Sequence, residues 1–248
     1  MIEHPRLLVL ALVFTMALAL SLSLNAAVLP FYGIALAVLA CAAVPYLLHT
    51  HPDYSFRPMR LILPGTIALA APSAAHGLGS GPLRVVGVFG PVVLLYGVIL
   101  AEYLLIQPDK GTVAQLARLL LMLTGYGAAL AYYLLVYEVK ERSLISAPLI
   151  ALVSAAVALR LLTLDRPPDS KTYMYAATAG LAMAEVLWPL NYWLLGIVAG
   201  GLLLLVAFYV LLGLLRELLA GQFSQGMLAE YGAVSAAGAL VVFGATRL

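Results

Sequence analysis

Apolar residues run along this chain in long blocks, interrupted at short intervals by charge, proline and glycine. Nine blocks stand out, at about 7–24, 31–48, 61–79, 87–107, 113–137, 147–164, 174–191, 194–218 and 228–247. Most approach the roughly 20 residues that a helix needs to cross a hydrocarbon layer. A segment in lipid must satisfy its backbone groups internally, so blocks of this length predict helices. The breaks are chemically apt. Gly79-Ser-Gly-Pro82 and Pro108-Asp-Lys-Gly111 are turn sequences, and Asp165 to Lys171 carries Pro167-Pro168 among several charges. Two places are weaker. The third block holds Pro64, Pro72 and His76, a composition that also suits a kinked or re-entrant segment. The seventh and eighth blocks are separated only around Pro189 and Asn191, which demands a tight hairpin. The expectation is an all-α, polytopic transmembrane helix bundle forming a single domain over 1–248. It has about nine spans, or eight if 61–79 does not cross.

Composition strengthens that reading. Of 248 residues, 64% are hydrophobic and 10% charged, whereas a soluble domain carries about 25% charged residues. The net charge of +2 and scattered cations give no reason to expect a nucleic-acid partner. Arg6 followed by an apolar stretch resembles a signal peptide, but the stretch is long and lacks a small-x-small cleavage site, so it reads as an uncleaved first span. Cys41 is the only cysteine, which excludes an intrachain disulfide and reads as a small core residue.

The cations also orient the bundle, because cytoplasmic loops are enriched in Lys and Arg. With a cytoplasmic N-terminus and nine spans, Arg6, Arg57, Arg60, Lys110, Arg118, Arg160, Arg166, Lys171 and Arg216 face the cytoplasm. Arg84, Lys140, Arg142 and Arg247 face outward. If the third block fails to cross, the split is nearly even. Tyr32, Tyr46, Tyr54, Tyr173, Tyr192 and Trp193 fall near proposed span ends, as an interfacial belt requires. Gly33, Ala37 and Cys41, then Ala176 and Gly180, and less cleanly Gly232, Ala236 and Leu240, recur at four-residue spacing that lets helices approach closely.

Ionisable groups inside a span are costly and are functional candidates by default. Glu185 is the sharpest, near mid-membrane and followed by Trp188 and Asn191. Arg160 on the preceding helix reads as its partner, either in a structural ion pair or as part of a ligand site. Glu102 and Arg118 flank the 108–111 turn and read as a hairpin salt bridge. Glu230 and Tyr231, level with Arg216 and Glu217, suit capping or interfacial anchoring. His49-Thr-His51-Pro-Asp53 is too sparse for a metal site, and the isolated His76 reads as structural. Tyr126, Tyr133 and Tyr137 share one helix face, which either packs or lines a cavity. There is no nucleotide-binding P-loop, no Gly-x-Ser-x-Gly and no lysine in the last spans for a retinal Schiff base.

Ile150-Ala-Leu-Val-Ser154, Ala158-Leu-Arg160, Glu185-x-x-Trp188, Leu190-Asn-Tyr-Trp193, and Gly200-Gly with Phe208-Tyr209 make the C-terminal half resemble an uncharacterised family of membrane proteins from filamentous green non-sulfur bacteria. His51-Pro, Leu63-Pro64 and Ala101-Glu-Tyr103 extend the resemblance over most of the chain. It implies a bacterial inner-membrane location and supplies no catalytic residues.

The leading expectation is a multi-pass inner-membrane protein that binds or passes a small or lipid-like molecule within the bundle, without ATP hydrolysis. Glu185, Arg160, Trp188 and Asn191 would line its polar part. One alternative is an accessory or assembly subunit with membrane-protein partners. The other is a membrane-embedded enzyme acting on lipid or isoprenoid. No catalytic residue, metal or cofactor is assigned; the lipid bilayer is the expected surroundings.

Overall fold

A computed structural model describes residues 4–25, 28–49, 54–77, 82–106, 111–139, 143–164, 166–193, 195–221 and 225–245. Among these residues there is no strand. The helices are α1 (His4–Ser21), α2 (Leu29–Leu48), α3 (Ile62–Gly77), α4 (Pro82–Leu104), α5 (Thr112–Val139), α6 (Ser143–Leu162), α7 (Ser170–Tyr192), α8 (Ile197–Ala220) and α9 (Gln225–Ala245). Each lies on one of the nine apolar blocks. The helices cluster into two compact units, residues 1–128 and 129–248, with the division falling inside α5.

In the first unit α1 to α4 run up and down. The Tyr32 hydroxyl on α2 donates to the Ala17 carbonyl of α1 at 2.8 Å. Cys41 on α2 donates to the Leu61 carbonyl at 3.6 Å, and Gly33, two turns earlier, faces Leu69 on α3, so α2 and α3 are antiparallel. A Cβ at Gly33 would stand 2.5 Å from the Leu69 carbonyl oxygen, so this crossing needs glycine. Core positions repeat at helical spacing: Leu7, Phe14 and Leu18 on α1, Leu36, Ala40 and Val44 on α2, Ala68, Ala71 and Ala75 on α3, and Val92, Leu95 and Ile99 on α4.

The doubtful third block is helical throughout its described length. Sixteen residues of α3 extend about 24 Å. A 3-10 turn at Pro58–Leu61 leads straight into it and adds about 8 Å, giving roughly the 30 Å of a hydrocarbon core.

In the second unit α6 and α7 approach most closely. Gly180 lies against the Ala151 carbonyl and the Ala155 side chain, where a Cβ has no room. Tyr137, near the end of α5, donates to the Leu190 carbonyl at 3.0 Å, and its ring lies on Gly200 at the start of α8. One end of the unit thus gathers the C-termini of α5 and α7 with the N-terminus of α8. At the other end Arg166 donates to the Leu219 carbonyl of the last α8 turn at 2.8 Å, and Gly221 ends that helix with φ +67°. The α9 contacts are made by Tyr231 over Gly213 and by Gly238 against Val206. Gly232 and Ala236, the small pair expected to pack, are exposed.

The outer surfaces are apolar. Met16, Phe31, Val93 and Leu152 are each 66–73% exposed, which water does not tolerate over a large area. Five helical segments are long and apolar enough to cross a membrane: Leu29–Leu48, Gly87–Leu104, Thr112–Tyr137, Ile145–Leu162 and Ile197–Ala220. Helix α7 is of spanning length but carries Lys171, Glu185 and Asn191.

Candidate functional site

Two polar features are built into this apolar frame, one in each unit. The first is at the Arg6 end of the N-terminal unit. Pro58 opens the 3-10 turn and places Arg60 at the head of α3, while Glu102 closes the last turn of α4. The Arg60 Nε lies 3.6 Å from Glu102 Oε2, with the side chains 12% and 1% exposed. The Arg60 guanidinium also sits 5.8 Å from the centre of the Tyr54 ring. Burial pushes the Tyr54 hydroxyl above its ordinary pKa; the Arg60 charge opposes the rise and the Glu102 charge adds to it. A buried carboxylate needs a cation and hydrogen bonds to remain charged, and Arg60 contributes the cation.

The sequence pairs Glu102 with Arg118 and gives Arg60 only a side of the membrane; the structure adds Arg60 as a partner of Glu102. Arg118 is on the exposed side of α5. The signal that could have found Arg60 was orientation, since the nine-span topology puts Arg60 and Glu102 on the same side of the membrane. His76 is half-buried in α3, with a buried Nδ1 that has no hydrogen-bond partner among the described residues. His51 and Asp53 lie outside the described residues. No group of three metal-ligating side chains occurs among the described residues. A cavity between α1 and α4, lined by Leu7, Leu10, Ala11, Val92, Leu95, Tyr96 and Ile99, is about 10 Å³, room for about one water.

The second feature is α7. Asp169 caps it, accepting from the Thr172 N–H at 2.8 Å and from the Thr172 hydroxyl. These bonds hold the Asp169 carboxyl below its ordinary pKa. The inward face is small and apolar, with Ala176, Ala179, Gly180, Met183, Leu187 and Leu190 buried. Glu185 lies on the opposite, exposed face with Trp188, while Asn191 is half-buried. Among the described residues no donor or cation reaches the Glu185 carboxyl.

Arg160 is buried, 5% exposed, in the last turn of α6. Since Gly180 is level with Ala151 and Ala155 on the antiparallel neighbour, Arg160 lies about 10 Å to one side of that level and Glu185 about 8 Å to the other. The axial separation of roughly 18 Å exceeds the reach of both side chains. The structure therefore brings Glu185 and Trp188 together and leaves Arg160 apart from them. Sequence alone could not see this, because it supplied the two helices without the level at which they cross. Tyr133 and Tyr137 of the α5 tyrosine face pack: beside the Tyr137 contacts above, the Tyr133 hydroxyl and Ser154 Oγ are hydrogen-bonded at 2.8 Å, and the Tyr133 ring meets Phe208 edge-on at 6.1 Å.

Antiparallel apolar helices, small-residue crossings and five helices long and apolar enough to cross a membrane define an all-helical protein of the kind that suits a bilayer. The chain belongs to the DUF5656 family, a protein family of unknown function, over residues 6–245. No curated protein matches it, and neither does any solved structure.

Proposed function

We propose that this protein is a subunit of an intramembrane assembly, working through helix association in the bilayer. The observation that carries the reading is Glu185. It stands on the outward face of α7, seven residues before Tyr192, about 10 Å from that helix end and inside a hydrocarbon core of roughly 30 Å. An ionisable group there carries a cost of about 3 kcal/mol on insertion scales, unless another polar group meets it. Pro189 adds to the demand, because it has no N–H to return to the Glu185 carbonyl four residues back. Protein contact from outside the unit relieves both.

The same reading takes the chain as nine spans with a cytoplasmic N-terminus, in the cytoplasmic membrane of a bacterium. Arg6, Arg57 and Arg60 gather at one end of the first unit, and Arg160, Arg166, Lys171 and Arg216 at one end of the second. Applied to each unit by itself, the enrichment of cations on the cytoplasmic side supports this orientation. An internal ligand site lined by Glu185 and Arg160 together has no such support, given their separation.

The test is purification of the full chain in mild detergent, followed by native mass spectrometry. The expected result is an assembly heavier than the 26.2 kDa chain, which Glu185→Leu reduces. A wild-type monomer with no co-purifying protein would overturn the proposal.

A further inference from the structure

We draw no further inference here: the strongest candidate, the exposed face of α7 that carries Leu181, Glu185 and Trp188, has nothing in the structure to show what covers it.

Discussion

Glu102 and Asp169 are both carboxylates, and their surroundings give them opposite sensitivities. Glu102 is buried against Arg60, so removing it leaves a guanidinium with little access to water. Glu102→Ala is expected to lower stability by about 3 kcal/mol, the usual cost of breaking a buried ion pair, measured by unfolding in mixed micelles. A change below the error of that measurement would show that the pair holds nothing. Asp169 is exposed and acts through hydrogen bonds to Thr172. Because its carboxyl is held below the ordinary value, its contribution is complete above the unfolded pKa of about 3.9. It is lost as pH falls through the lower folded value. Asp169→Ala should therefore reduce stability at neutral pH and flatten the acid limb of a stability–pH curve. Asp169→Asn, itself a good cap, should keep most of the neutral stability while flattening the same limb. The residues of both features could be read in the sequence. Orientation put Arg60 and Glu102 on one side of the bundle, but bringing them into contact depends on where α3 starts relative to the end of α4.

Helix positions were legible because an apolar block of spanning length has one good backbone solution in lipid. Helix partners were less so. Gly33 and Gly180 do mark close crossings, while Gly232 and Ala236, at the same spacing, face outward. The difference is whether a neighbour's backbone arrives within contact of the missing Cβ, a property of two helices together. Gly180→Val is expected to cost about 1–3 kcal/mol through overpacking against α6, whereas Gly232→Ala, with nothing within 4 Å of the new Cβ, should be near neutral. Thermal unfolding of both variants in one detergent makes the comparison, and equal losses would remove Gly180 as the crossing point. The tyrosines of α5 make a similar point. Their seven- and four-residue spacing predicted one face, and Ser154, Phe208 and Leu190 occupy that face as packing partners.

The chain as a whole turns on whether α3 crosses, since every later segment changes sides with it. The 3-10 turn at Pro58–Leu61 supplies the length that α3 lacks alone. In a Cys41→Ala background, Arg57→Cys is expected to react with a membrane-impermeant maleimide from the N-terminal side, and Gly77→Cys from the opposite side. Labelling of both from one face would reduce the spans to eight and reverse the later loops.

The sequence by itself determined the class of this protein, the blocks that become helices and the identity of the costly groups within them. Those properties follow from local composition, because lipid penalises each unsatisfied polar group wherever the chain goes. Only the tertiary structure decided which groups meet. Arg60 reaches Glu102 because α3 begins and α4 ends at one level. Arg160 misses Glu185 because α6 and α7 cross at Gly180, between the two. Glu185 faces outward because the small residues of α7 turn the opposite side toward α6.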